Sequence, residues 1–227
     1  MNELPFSQSC ENNKQPILEQ LTRALANASH VLEIAGGTGQ HAEFFAAKLP
    51  HLHWQSSDIP ANTQVLEQRL GAAKLQNLST TALELDVNQQ SWCDGSWLTS
   101  LSSFENRSET RAENSVDHNV GPRPFDAVFS ANSLHIMSAD SVEHFFLGAG
   151  KLLNPGGLLI VYGPFNYGGR FSAESNAEFD LWLKERNPES GIRDFETVSD
   201  LARHAGFKFV EDTAMPANNR LLLWIKN

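Results

Sequence analysis

Cysteine is scarce in this chain, basic residues are outnumbered, and no long apolar run occurs; each shortage excludes a class of function. Only Cys10 and Cys93 are present among 227 residues. They stand far apart, in no CxxC or Cys/His cluster, which fits a reducing compartment and supplies no thiolate metal site. His41, His51 and His53 lie close in sequence but lack further ligands at metal-site spacing, so no metal is expected. Seventeen Lys and Arg stand against 27 Asp and Glu, a formal charge of -10, with no Lys/Arg cluster. Such a surface repels a polyanion, so no nucleic-acid partner is expected. No stretch approaches the ~18 uncharged residues of a membrane span. The opening Met1-Asn2-Glu3-Leu4-Pro5 has neither the basic nor the apolar region of an export signal, and a cytoplasmic, membrane-free protein is expected.

What the chain does have is Val31-Leu32-Glu33-Ile34-Ala35-Gly36-Gly37-Thr38-Gly39-Gln40-His41. A β-branched run stops in glycines, and Ala42, Phe45 and Leu49 then follow at helical spacing. The pattern is strand, tight turn, helix. A turn without side chains lets a ligand approach the backbone, and the following helix points free N–H groups and its positive dipole end at that space. This is a nucleotide-type binding turn.

Around it, strands and helices alternate. Pro16 suits the first turn of a helix carrying Leu18, Leu21 and Leu25, and residues 1–27 are read as an N-terminal helix whose leading segment folds over a ligand as a lid. A second strand runs from Leu52 to Ser57 and ends in Asp58, a helix from about Ala61 to Ala73 follows, and a third strand from Thr81 to Leu85 ends in Asp86. Trp92, Trp97, Leu98 and Leu101 suggest a less regular helix. Residues 102–124 are polar and are read as a flexible insertion. Phe125–Ser130 and Leu158–Tyr162 are strands, separated by a helix on Val142, Phe145, Phe146, Ala149 and Leu152 that Asn154-Pro155-Gly156-Gly157 stops. Helices near 173–186 and 195–205 follow, and the last two apolar runs, at Phe207–Val210 and Leu221–Ile225, have no helix between them and form a hairpin. The expectation is a single α/β domain over 1–227: a seven-stranded, mostly parallel sheet with helices on both faces and a C-terminal antiparallel hairpin.

Gly37-Thr38-Gly39-Gln40-His41-Ala42 satisfies the dinucleotide spelling G-x-G-x-x-G/A, with Asp58 at the expected distance, so NAD stays open on this pattern alone. Three features favour S-adenosylmethionine. Glu33 would repel a pyrophosphate but favours an ammonium and a sulfonium. Glu33, Asp58 and Asp86 gather at one sheet edge, where open α/β sheets bind ligands. A hairpin in place of a second βαβαβ half leaves no site for a second nucleotide.

These segments, with Phe125-Asp126-Ala127-Val128 and Leu153-Asn154-Pro155-Gly156-Gly157-Leu158, resemble the class I S-adenosylmethionine-dependent methyltransferases across nearly the whole chain. More narrowly, Asn13-Lys14-Gln15-Pro16, Tyr162-Gly163-Pro164-Phe165, Gly168-Gly169-Arg170-Phe171, Glu174-Ser175-Asn176, Gly191-Ile192-Arg193-Asp194 and Met215-Pro216-Ala217-Asn218-Asn219 resemble the methyltransferase-like protein 26 family, a domain of unknown function. The resemblance implies a Rossmann-like class I methyltransferase fold and S-adenosyl-L-methionine as cofactor. It implies that Glu33, Gly36, Gly37 and Gly39 line the methionyl side, that Asp58 holds the ribose, that Asp86 with Val87 borders adenine, and that Thr38, Ile59 and Ser130 complete the cofactor site. The class pattern has glycine where this chain has Ala35, whose methyl disfavours a positive φ, so backbone contact there is not expected.

His135 and Tyr162 lie near the ends of the fourth and fifth strands and are the candidate bases, His135 because an imidazole titrates near neutrality. The alternative for His135 is a partly buried histidine hydrogen-bonded at a helix entrance. Asn132 and Arg170 are candidate acceptor contacts, Arg170 as a bidentate clamp on a carboxylate or as a partner for a surface acid. The expected activity is methyl transfer to a small-molecule acceptor. A non-catalytic module that keeps the fold and cofactor is the alternative, and an NAD-dependent oxidoreductase the third reading.

Overall fold

The computed structural model describes residues 4–100 and 125–227, with the backbone alone for Leu98 and Ser100. Its elements are α1 (Gln8–Ala24), β1 (His30–Ile34), α2 (Gln40–Lys48), β2 (His53–Asp58), α3 (Pro60–Ala73), β3 (Leu83–Glu84), α4 (Gln90–Asp94), β4 (Ala127–Ala131), α5 (Ala139–Leu152), β5 (Leu158–Asn166), α6 (Glu174–Arg186), β6 (Arg193–Asp194), α7 (Phe195–His204), β7 (Phe207–Met215) and β8 (Asn219–Lys226). The expected insertion at 102–124 lies outside the described residues.

The strands run in the order β3-β2-β1-β4-β5-β8-β7. The first five are mutually parallel, and β8 is antiparallel to both β5 and β7. The two-residue β6 pairs with the far end of β5 outside this path, an eighth strand beyond the seven expected. Strand order reverses between β1 and β4, so the crevice where an open α/β sheet takes its ligand opens at the carboxyl ends of these two strands.

Side-chain parity divides the core. Leu32, Val128, Leu159 and Val161 face one layer with α4, α5 and α7, while Val31, Ala127, Phe129, Ile160 and Tyr162 face the other with α1, α2 and α3. This is the both-faces burial that parallel strands require. Asp126 Oδ2 accepts from the backbone N–H groups of Ser29 and His30, at 2.7 and 3.0 Å, and so ties the entrance of β1 to that of β4.

Three boundaries differ from the sequence expectation. Helix α1 begins at Gln8, two turns before Pro16, which stands inside the helix. Ser7 caps it by accepting from Cys10 N–H, and the i, i+3 and i, i+4 pairs Lys14–Glu11 and Gln8–Asn12 brace the polar turns, so no apolar stripe marks them in the sequence. Strand β3 is only two residues long, because past Glu84 the chain turns through Asp86, whose Oδ1 accepts from Asn88 N–H at 2.9 Å. Over 90–100 the expected irregular helix is a short helix, α4, followed by a tight helical turn over 96–100; Leu101 lies outside the described residues.

Candidate functional site

The glycine turn is built from chain geometry that few side chains tolerate. Gly37 has φ 57° and Gly39 φ 73°. A Cβ on Gly36 would meet Leu66 at 3.1 Å and Glu33 Oε2 at 3.3 Å, and one on Gly39 would meet Leu66 and Arg69, so these two glycines admit α3 against the turn. A Cβ on Gly37 meets nothing within 4 Å. Gly37 therefore faces open space, a place where a ligand can lie against the backbone. Ala35, contrary to expectation, does take the left-handed conformation at φ 60°. At the end of the neighbouring β4, Asn132 does the same at φ 58°, its N–H donating to Tyr162 O at 2.8 Å. Two strained residues at the mouth of the crevice are where functional sites hold strain.

Asp58 ends β2 facing this turn, 5% exposed. Its Oδ2 accepts from Gly37 N–H and its Oδ1 from Ile59 N–H and the Asn62 amide, all at 2.8 Å. The carboxylate thus sets the turn and the start of α3 together. From it a cleft of about 510 Å³ runs along the sheet edge past Ile59, Asp86 and Val87 to Ile136 and His144 on the far wall. Ala35 lines it as well.

Of the sequence candidates, Asp58, Ile59, Asp86 and Val87 share this cleft. Glu33, Gly36, Gly37, Thr38 and Gly39 form its neighbouring turn. Glu33 is 2% exposed, on the α1–α2 face, where Oε2 accepts from Ser56 Oγ at 2.6 Å and Trp54 Nε1 at 3.1 Å. Burial pushes its pKa up to about 7 against those two hydrogen bonds, and the Asp58 charge adds to the rise. Ser130 is fully buried away from the cleft, donating to Ile34 O at 2.8 Å with Ser133 Oγ at 2.6 Å; it joins the ends of β1 and β4.

The candidate bases are held apart from the cleft. Tyr162 is 3% exposed on the α1–α2 face, its hydroxyl against the Asn13 amide, and burial raises its pKa. Asn13 Oδ1 in turn lies 2.6 Å from His41 Nε2, and burial followed by the Lys14 charge lowers the His41 pKa to about 4. His135 packs edge-on against Phe179, ring centroids 5.3 Å apart, near Gly163. Burial, with the Arg193 charge behind it, lowers its pKa to about 4 rather than leaving it near neutrality. Arg170 is exposed on a turn closed by its own backbone pairing with Tyr167.

Sequence reading passed over the far wall of the cleft. Asn88 Oδ1 accepts from Ser141 Oγ at 2.9 Å and lies 3.1 Å from His144 Nδ1, which joins the β3 end to α5. Ile136, 55% exposed, presents an apolar side chain at the mouth. Among the described residues no group of three or more His, Cys, Asp or Glu is arranged to hold a metal, and no helix is long and apolar enough to cross a membrane.

The strand order, the closing antiparallel pair, the glycine turn and the cleft beside it define a Rossmann-like methyltransferase fold. The chain belongs to the family described as protein of unknown function (DUF938), which matches residues 4–226. In structure it is similar to an O-methyltransferase family protein from Burkholderia thailandensis, with 17% identity, TM-score 0.72, and 96% of this chain and 57% of that one covered. It is similar to human N-acetylserotonin methyltransferase in complex with SAM, at 16% identity and TM-score 0.70, covering 97% and 53%. PigF with SAH gives 15% identity and TM-score 0.69, covering 95% and 56%. The chain spans just over half the length of each of these proteins, and at such identities the likeness is one of fold.

Proposed function

We propose that the chain binds S-adenosyl-L-methionine along the crevice and transfers its methyl group to a small-molecule acceptor. The observation that carries this reading is the open space over Gly37 beside a cleft that Asp58 lines, with the Asp58 carboxylate joining the two by accepting from Gly37 N–H. The residues fit the group in charge and shape. The glycine turn, with the Glu33 carboxyl buried behind it, suits a cationic amino-acid end, Asp58 a ribose hydroxyl pair, and Asp86 with the apolar Val87 and Ile136 a purine. Two structural neighbours named as methyltransferases, one of them in complex with SAM, and PigF with SAH support the same assignment.

The bound cofactor supplies an electrophilic methyl on a good leaving group, so alignment provides most of the acceleration. The chain's own part is then to hold both reactants and exclude water. His135 is unprotonated at neutral pH and, with a conjugate acid near 4, a weak proton acceptor. An acceptor that is already ionised, or easily ionised, suits such a site best. The same observation favours the second reading, a cofactor-binding module without catalysis. An NAD-dependent oxidoreductase ranks behind both, because Glu33 disfavours a pyrophosphate.

We also propose kinship with the methyltransferase-like protein 26 family on the segments quoted above, two pairs of which meet in the fold: Asn13 lies against Tyr162, and the Asn176 amide donates to Asn218 O at 3.3 Å. Localisation in the cytoplasm goes with this reading.

Calorimetric titration with S-adenosylhomocysteine and with NAD is the test. Binding of the former and not the latter is the expected result, and Asp58→Ala should weaken it at least about tenfold, since a charged hydrogen-bonding partner is lost. Labelled S-adenosylmethionine with a metabolite extract then separates enzyme from module by whether label is transferred.

A further inference from the structure

We propose that Arg69 is a positioning residue: a latch that fastens the N-terminal segment over the glycine turn, so that closure of that segment and filling of the turn are coupled. The inference rests on the cofactor reading above and adds to it the residue through which the site is covered.

Arg69, on α3, uses three nitrogens on three separate parts of the chain. Nε donates to Thr38 O of the glycine turn at 2.9 Å, Nη1 to Glu43 Oε2 of α2 at 2.8 Å, and Nη2 to Pro5 O of the segment before α1. Its side chain is only 13% exposed. Gly39 lets it through: a Cβ there would meet Arg69 Cβ and Cδ at 3.3 Å. A guanidinium presents its donors from three nitrogens in a fixed planar fork, whereas an ammonium carries all three on one nitrogen and does not span these acceptors in the same way.

A second fastening lies alongside. Gln40 Oε1 accepts from Ser7 N–H and, at 3.1 Å, from Thr38 Oγ1, so the side chain that follows the turn holds both the turn and the segment. The segment is therefore bound to the turn that meets the cofactor's methionyl end, through Thr38 in each case. A ligand that fixes the turn fixes Thr38, and with it the acceptors and donors that hold the segment down. By linkage, whatever frees the segment weakens the ligand by the same factor.

The test is hydrogen exchange over residues 4–12 with and without S-adenosylhomocysteine, together with its calorimetric affinity, in the wild type, Arg69→Leu and Glu43→Gln. In the wild type the ligand is expected to slow exchange across the segment. Arg69→Leu should exchange faster there without ligand, lose the ligand-induced slowing, and bind about five- to tenfold more weakly. Glu43→Gln breaks only the ion pair and should behave as wild type in both measurements, which separates the latch from a general bracing role. Should Arg69→Leu not fold, Arg69→Lys, with one nitrogen where the latch uses three, carries the same expectation. Equal affinity and equal protection in wild type and the Arg69 variant would overturn the latch. Failure of the wild type to bind S-adenosylhomocysteine at all would instead overturn the cofactor reading, and the coupling with it.

Discussion

Glu33→Gln should make the protein more stable at alkaline pH by replacing an acid buried behind the glycine turn with a neutral isostere. The carboxyl group is buried, with Ser56 and Trp54 as donors, and its pKa is pushed up from 4.5 to about 7. Between those two values the folded state holds a proton that the unfolded state has released. Stability is therefore lost as pH rises through this window, by about 1.4 kcal/mol per pH unit and about 3 kcal/mol in all by pH 8. Glutamine cannot ionise, and its Oε1 can still accept from Trp54 Nε1 and Ser56 Oγ, so the packing and both hydrogen bonds survive. The assay is urea denaturation of both proteins from pH 5 to pH 8, read as the difference between them. Taking the difference cancels His41 and His135, whose lowered pKa values act with the opposite sign over an overlapping range. The variant's advantage should grow with pH and approach 3 kcal/mol, an order-of-magnitude figure for a fully buried group. A difference that stays flat across the series would refute the buried, titrating acid.

Ala35→Gly relieves a left-handed alanine and should stabilise the fold by about 1 kcal/mol, after the entropic cost of glycine, read as a rise of a few degrees in Tm. His41 and His135, with folded pKa values near 4 against 6.5, contribute stability that is complete above about pH 6.5 and falls with pH down to about 4, because only the unfolded state takes up the protons. Their ring resonances should accordingly not titrate between pH 8 and 5 in an NMR series, and a midpoint near 6.5 for either would contradict the burial argument. Tyr162→Phe leaves Asn13 short of a partner and should cost about 1 kcal/mol of stability without changing cofactor affinity. A variant that keeps its stability but loses methyl transfer would instead return Tyr162 to the chemistry.

The layer assignment of Glu33 and Tyr162 was available in the strand alternation. Glu33 has the parity of Val31, and Tyr162 that of Ile160, so both point to the α1–α2 face rather than along the crevice. Reading them by their nearness to the strand ends ignored the period of two. Ala35 shows the reverse error: a propensity taken as a prohibition, where tertiary context holds an alanine at φ 60°. The early start of α1 was marked only by Ser7 and Glu11, a cap and a first-turn acid, since hydrophobic spacing is silent in polar turns.

By itself the sequence determined the strand–turn–helix at Val31–Ala42, the parallel alternation, the closing hairpin and the acids Asp58 and Asp86 at one edge. These are local matters of period, glycine and chain order, and they suffice to locate a nucleotide-type site. Only the tertiary structure decided that Asp58 grips Gly37, that Glu33 is roofed by Trp54 and Ser56, that His135 is desolvated beneath Phe179, and that Arg69 reaches Thr38 and Pro5. Each of these joins residues far apart in the chain, and the charge state of a buried group depends on what folding packs around it, which spacing alone does not carry.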